Sequence, residues 1–273
     1  MKPQPLSNNL EVDYFNLFQQ RLYKKTDLPQ NIAFTIRGKI IGTLGNFCIF
    51  SGLPKASKST FLAGAIASAF LPGPVYGMKI STPEKRENIL YVDTESAAWD
   101  YQAQMQKIAR HVGGAGISKE LISISVREDD PATITGLVDW YLGNFPDCSV
   151  LVLDGLLDLI WDYNSEVESR KVINWLKKIT KVHNILVIGV LHLSKGTGQT
   201  LGHFGSLADR YAQSVLEIVK NHDARQFHIK PKFLRSSDDF EPVAIAWDDF
   251  LQKMVEVSYV EIIDNNKKQK NGK

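Results

Sequence analysis

Gly52, Lys55, Ala56, Ser57, Lys58, Ser59 and Thr60 stand in the run Gly-Leu-Pro-Lys-Ala-Ser-Lys-Ser-Thr, between an apolar stretch at residues 46–51 and a helix-like one at residues 61–70. Residues of these types at a strand-to-helix joint suit the capture of a phosphate chain. Successive backbone N–H groups of such a loop converge on an anion, and the helix that follows adds the positive end of its dipole. Lys58 can then reach the outer phosphates and Ser59 can hold Mg2+. The spacing matches G-x-x-x-x-G-K-[ST] except that Ser57 stands where the second glycine belongs, and serine accepts fewer backbone conformations. An ordinary βα turn holding Lys and Ser is the alternative; the flanking strand and helix favour the phosphate loop.

Asp154 ends the apolar run at residues 149–154, where a carboxylate can accept from Mg2+-bound water beside Ser59. Glu95 follows another such run, in Tyr-Val-Asp93-Thr94-Glu95-Ser96, and has the reach to orient a hydrolytic water over the same sheet edge. Asp93 competes for that role, and capping of the next helix by Asp93, Thr94 or Ser96 is the plain structural alternative. His192 and Lys195 follow a third apolar run and precede a glycine-rich polar loop at residues 196–206. A polar group there can sense a terminal phosphate and transmit its loss to the loop; a hydrogen-bonded structural histidine is the alternative. Lys232 and Arg235 have no acidic neighbour in sequence. In subunits packed head to tail, Arg235 can reach a neighbour's site as an arginine finger; solvated charges guarding an edge strand are the competing reading.

These residues need a scaffold. A chain of 273 residues, 44% hydrophobic and 23% charged, can bury one large core with small extensions. Helical spacing at residues 9–25 predicts an N-terminal helix, whose role is packing on its own core or docking on a neighbouring subunit. Strands are predicted at residues 88–93, 121–126, 148–154 and 185–191, alternating with helices at 97–112, from the Asp130-Pro131 cap to Gly143, and after the Asn164-Ser165 cap. In the last of these helices Val172, Ile173, Leu176, Ile179 and Val182 form an apolar stripe. The alternation implies an α/β fold with a mostly parallel sheet. Short runs at residues 214–219, 226–231, 243–247 and 255–262 read as antiparallel strands finishing its edge. The expected division is an N-terminal helical extension at 1–39, an α/β domain at 40–263 and a basic tail at 264–273.

Cys48 and Cys148 lie in strand-like runs without the neighbours of a zinc site and read as reduced core residues. No apolar run approaches the roughly 20 residues of a membrane span, and the first residues lack the apolar stretch of a signal peptide; no membrane partner and a cytoplasmic setting are expected. A formal net charge of +2 announces no global field for nucleic acid, so such affinity would come from local patches or from subunits repeating one patch around a ring.

The phosphate loop, Tyr-Val-Asp-Thr-Glu95, Leu-Val-Leu-Asp154-Gly, and Leu-His192-Leu-Ser-Lys195 with Gly202-His203-Phe-Gly-Ser206 occur in an order that resembles RecA-fold ATPases. Within them the set resembles the RepA-like branch carried by mobile elements, and is more distantly similar to DnaB-type hexameric helicases. The resemblance spans residues 40–250. It implies a RecA-like core, ATP with Mg2+, head-to-tail self-assembly into a hexameric ring, and action on single-stranded DNA in replication or mobilisation. Lys58 and Ser59 match the Walker A lysine and hydroxyl, Asp154 the Walker B aspartate, Glu95 the water-activating glutamate and His192 the phosphate sensor. Lys195, Thr197, Gln199 and His203 fall where such motors touch DNA. Ser57 departs from the family glycine, and Lys232-x-x-Arg235 is one residue wider than the K-x-R pair of DnaB-type proteins. The functions in play are an ATP-hydrolysing ring motor, a nucleotide-dependent switch or DNA-binding assembly factor with slow or no hydrolysis, and a small-molecule kinase. The last is disfavoured because no arginine-rich lid follows the loop.

Overall fold

The computed structural model describes residues 14–22, 31–114, 118–194, 196 and 198–261. Helix α1 (Tyr14–Arg21) belongs to a unit of its own, and a second compact unit begins at Asn31. The remainder of the predicted N-terminal helix and the basic tail lie outside the described residues.

The second unit opens with strands β1 (Ile32–Ile36), β2 (Lys39–Thr43) and β3 (Phe47–Gly52), followed by helix α2 (Lys58–Ala69). After β4 (Met78–Ile80) come β5 (Asn88–Asp93), α3 (Ala98–His111), β6 (Leu121–Ser125), α4 (Pro131–Asn144) and β7 (Cys148–Asp154). A 3-10 turn (Leu156–Leu159) leads to α5 (Glu166–His183), β8 (Leu186–His192) and α6 (Gly202–Tyr211). Four strands finish it: β9 (Ser214–Asn221), β10 (Gln226–Leu234), β11 (Val243–Asp248) and β12 (Lys253–Val257).

Nine strands form one sheet in the order β12-β11-β10-β9-β3-β8-β7-β5-β6. The six strands from β9 to β6 are parallel, and β10, β11 and β12 add antiparallel at one edge. Strands buried on both faces must be apolar at consecutive positions, as β3, β7 and β8 are. Their side chains alternate between two cores: Phe50, Tyr91 and Val152 pack on the face carrying α2, and Ile49, Leu90 and Leu151 on the face with α4, α5 and α6. Each such Leu or Phe stabilises the fold by about 1.5–3 kcal/mol relative to an exposed position. The α/β architecture with antiparallel strands at the C-terminal edge is therefore as predicted.

Three details differ. Residues 214–219, expected to be antiparallel, form β9 parallel to β3, because α6, read from sequence as loop through residue 206, supplies the crossover. A small antiparallel sheet, β2-β1-β4, places the expected boundary at residues 39 and 40 inside β2. In α5, Val172, Ile173, Leu176 and Ile179 are buried, whereas Val182 is 64% exposed. At 3.6 residues per turn it lies roughly 120° round the helix from the centre of that stripe.

Candidate active site

The parallel strands β3, β5, β7 and β8 deliver their last residues to one edge of the sheet, where loops to the following helices gather. β3 ends at Gly52, where a Cβ would stand 2.6 Å from the Ile218 carbonyl oxygen, so only glycine lets β9 approach. Beyond it Lys55 (φ 64°) and Ser57 (φ 66°, ψ 31°) both adopt the left-handed conformation. Serine thus takes the backbone shape that the missing glycine would have, at a cost of about 1–2 kcal/mol. Ser57 makes no side-chain cap to α2, which leaves the N-terminal N–H groups of that helix directed at the cleft.

Lys58 is buried, and its Nζ donates to the carbonyls of Gly52 at 3.1 Å and Leu53 at 3.0 Å and to His192 Nδ1 at 3.1 Å. An ammonium only donates, so Nδ1 accepts and the ring proton sits on Nε2. That proton is donated to the Glu95 carboxylate, 2.9 Å from Oε1 and 3.1 Å from Oε2. A continuous chain therefore joins the phosphate-loop lysine to Glu95 through the residue that ends β8. The hydrogen bond from His192 holds the Glu95 carboxyl below its ordinary range against the opposing effect of burial, with the Lys58 ammonium adding to it. Burial lowers the Lys58 pKa, while Glu95 and Asp154 counter it.

Asp93 settles into a supporting role. Its Oδ1 accepts from the backbone N–H of Glu95 at 3.2 Å and of Ser96 at 2.7 Å, which turns the chain and leaves the Glu95 side chain in the cleft. The two carboxylates at the ends of β5 and β7 share the buried Tyr91 hydroxyl, 3.0 Å from Asp154 Oδ2 and 3.3 Å from Asp93 Oδ2. Burial, with Asp93 and Glu95 adding repulsion, pushes the Asp154 pKa up to about 6, against the Tyr91 hydrogen bond and Lys58. Thr94 fastens the two strand ends, donating to Asp158 Oδ2 at 2.6 Å and accepting from Gly155 N at 2.7 Å.

A cleft of about 200 Å3 is lined by the loop from Lys55 to Ser59 and by Glu95, Asp154 and His192. Of the nucleotide-binding residues predicted from sequence, Lys55, Ala56, Ser57, Lys58 and Ser59 line this cleft with Glu95, Asp154 and His192, whereas Gly52 and Thr60 do not. Ser59 and Asp154 offer oxygen donors, and Asp154 is a desolvated carboxylate whose ionised form gains from a cation. No cluster of three or more metal-ligating side chains exists among the described residues. Two protein oxygens completed by phosphate and water suit Mg2+, which keeps most of its own shell.

Sequence reasoning missed the supports. Tyr91 carries a hydroxyl in an otherwise apolar strand, and Gln104 interrupts the buried stripe of Met105 and Ile108 on α3. Gln104 Nε2 donates to the Ser59 carbonyl at 2.8 Å and ties α3 to the loop. A polar side chain at a core position was the available signal in both cases.

The remaining candidates lie elsewhere. Arg235 follows Leu234, which pairs with Ser214, itself opposite Cys48, four residues back from Gly52 on β3. At about 3.3 Å per residue that is roughly 13 Å from the phosphate edge, so Arg235 does not join the cleft of its own chain. Its guanidinium donates to the Arg210 carbonyl. Lys232, which has no acidic neighbour in sequence, is paired with Asp209 at 2.9 Å because α6 packs beside β10. His203 is exposed in the first turn of α6, and Gln199 lines a separate open cavity of about 890 Å3 with Lys232 and Arg235. Lys195 and Thr197 lie outside the described residues.

Residues 35–198 match the model of a protein family described as an AAA domain. The match contains Lys58, Ser59, Glu95, Asp154 and His192 and ends before Gln199, His203, Lys232 and Arg235. No curated protein matches the chain. Among the described residues no helix is long and apolar enough to cross a membrane.

Proposed function

The chain belongs to the AAA domain family, a P-loop ATPase by its phosphate loop and fold, and from that premise we propose that it is a RepA-like, head-to-tail ring motor that hydrolyses ATP on single-stranded DNA in the replication or mobilisation of a mobile element. The observation that carries this reading is the hydrogen-bonded chain Lys58–His192–Glu95. It couples the group that meets the outer phosphates to the group that takes a proton from water.

With ATP in the cleft, the Lys58 ammonium exchanges the Gly52 and Leu53 carbonyls for phosphate oxygens, a stronger charge-assisted pairing. Glu95, ionised at neutral pH, orients the attacking water and accepts its proton. Ser59 and Asp154 would hold Mg2+, which would supply neutralisation of the phosphate charge. His192 reports the change outward: Leu193 bridges Thr200 across the following loop, and Thr200 Oγ1 donates to Asp209 of α6 at 3.2 Å. Loss of the terminal phosphate thereby shifts the Leu193–Thr200 bridge and α6, which carries His203; Lys195, Thr197, Gln199 and His203 are the proposed DNA contacts. The distance of Arg235 from its own cleft supports a finger that acts on the neighbouring subunit.

Steady-state ATP hydrolysis with and without single-stranded DNA, with the oligomer followed by light scattering, tests this in wild type and Lys58→Ala. DNA-stimulated turnover by a ring, lost in Lys58→Ala, is expected. Tight ATP binding without turnover in either condition would instead identify a nucleotide-dependent switch.

A further inference from the structure

Thr94 stands between Asp93 and Glu95, and its residue type suits it to cap the helix that follows. It takes another place: the N-cap position of α3 is Ala97, and no side chain bonds there. Thr94 is 4% exposed and faces β7. Its backbone N–H donates to the Asp154 carbonyl at 2.8 Å, and its hydroxyl accepts from the Gly155 N–H at 2.7 Å. That hydroxyl has a single proton to give. Two acceptors compete for it, the Gly155 carbonyl at 3.3 Å and Asp158 Oδ2 at 2.6 Å, and the short bond to the carboxylate is the stronger. Asp158 thus sets the rotation of the Thr94 hydroxyl and keeps its lone pairs on the Gly155 N–H.

Asp158 sits in the 3-10 turn after β7, which buried Leu156 and Leu159 anchor in the core. Among the described residues no lysine, arginine or histidine pairs with its carboxylate. The Thr94 hydroxyl is its bonded partner. Gly155, held through Thr94, is the floor on which the Glu95 carboxylate rests: a Cβ there would stand 3.0 Å from Glu95 Oε1. That same oxygen accepts from His192 at 2.9 Å. Neither Thr94 nor Asp158 lines the nucleotide cleft; both line a separate cavity of about 350 Å3 beside Arg127, Asp130 and Trp161. Their effect on hydrolysis is therefore exerted through the residues they hold.

We propose that Thr94, fixed by Asp158, is a positioning residue that sets where the Glu95 carboxylate meets the attacking water. The inference rests on the reading of Glu95 as the group that takes a proton from that water. His192 bonds the carboxylate on one side and Gly155 bounds it on another, so its reach depends on where the end of β7 stands relative to the end of β5. Thr94 ties those two ends through its backbone and its side chain at once. A displacement of roughly 1 Å between reacting groups can cost about a hundredfold in rate. Loss of this one hydroxyl thus slows hydrolysis while the phosphate loop is left intact.

Single-turnover ATP hydrolysis and calorimetric ATP titration of the full chain, both with Mg2+, test it. Thr94→Val, which keeps the shape and removes the hydroxyl, should lower the rate by about tenfold to a hundredfold with ATP affinity within about threefold of wild type. Thr94→Ser should restore the rate to within about threefold. Asp158→Ala, at a more exposed position, should lower the rate by about tenfold and reads the same relay if Thr94→Val fails to fold, whereas Asp158→Asn keeps an acceptor and most of the rate. In a Glu95→Gln background Thr94→Val should change the residual rate by less than about twofold, because its target is gone. An equal loss with and without the Glu95 carboxylate, or a parallel loss of ATP affinity, would reduce Thr94 to a structural tie and overturn the inference. Slow hydrolysis in Glu95→Gln beside full rates in Thr94→Val and Asp158→Ala would overturn the inference alone. A wild-type rate in Glu95→Gln, or no hydrolysis by wild type, would overturn the reading of Glu95 and the inference together.

Discussion

Two lysines of this chain rest against polar clusters, and their surroundings are opposite. Lys58 is 7% exposed and bonded to two carbonyls and a histidine, within a cluster where Tyr91, Asp93, Glu95, Asp154 and His192 satisfy one another. Lys232 has one carboxylate, Asp209, at the wall of an open 890 Å3 cavity that also holds Arg235. The first cluster is preorganised, with burial raising the energy of its charges and hydrogen bonds fixing their geometry. The second holds Lys232 on Asp209 and Arg235 on the Arg210 carbonyl at the wall of an open cavity. One region is closed and bonded within itself; the other is open.

The sharpest way to break that contrast is Arg235→Ala. If this region completes a neighbour's site, hydrolysis falls by about 10³-fold or more with fold and nucleotide affinity retained. Mixing Arg235→Ala with Lys58→Ala subunits should then recover part of the turnover; an unchanged rate in Arg235→Ala would reduce the second cluster to surface charge.

Tyr91→Phe probes the closed cluster. It removes the one hydroxyl shared by two buried carboxylates, so unfolding stability should drop by about 1–3 kcal/mol in urea titration.

Asp154 gives the pH dependence. A carboxyl whose pKa is raised in the fold binds its proton more tightly there than in the unfolded chain. Its contribution to stability is therefore full below the unfolded value of roughly 4 and is lost as pH rises through about 6. Asp154→Asn should stabilise the nucleotide-free protein at pH 8, on the order of 2 kcal/mol, and by much less at pH 4. Melting temperatures at the two pH values decide the matter; an equal shift at both would show that burial does not set the Asp154 charge.

Ser57→Gly has the smallest expected effect. Relief of the left-handed serine should raise stability by about 1 kcal/mol, read as a higher melting temperature. Destabilisation would mean that the serine side chain holds the loop.

Sequence patterns disclosed the closed cluster well because its chemistry sits at the ends of strands that are mostly apolar. In β3, β5, β7 and β8 a mostly apolar run gives way to Gly52, Asp93, Asp154 and His192, a change visible in the sequence. The glycine-like shape of Ser57 was invisible, since serine carries no mark of a positive φ. The β1–β2 hairpin escaped for a similar reason: Arg37 (φ 48°) and Gly38 (φ 77°) make a turn usually signalled by Asn-Gly. Helix α6 begins inside a glycine-rich stretch and shows itself only through Phe204, Leu207 and Ala208. Missing it hid both the Lys232–Asp209 pair and the crossover that makes β9 parallel. Contacts between residues distant in sequence leave no local pattern to read.

The proposed hydrolysis requires Glu95 to activate water at the end of the Lys58–His192 chain. The direct measurement is single-turnover ATP hydrolysis by Glu95→Gln beside a binding titration of the same preparation. The amide keeps the hydrogen-bonding shape and loses the base, so turnover should fall by about 10²–10⁴-fold with ATP affinity within a few fold of wild type. Hydrolysis at the wild-type rate in Glu95→Gln would contradict the mechanism proposed for this site.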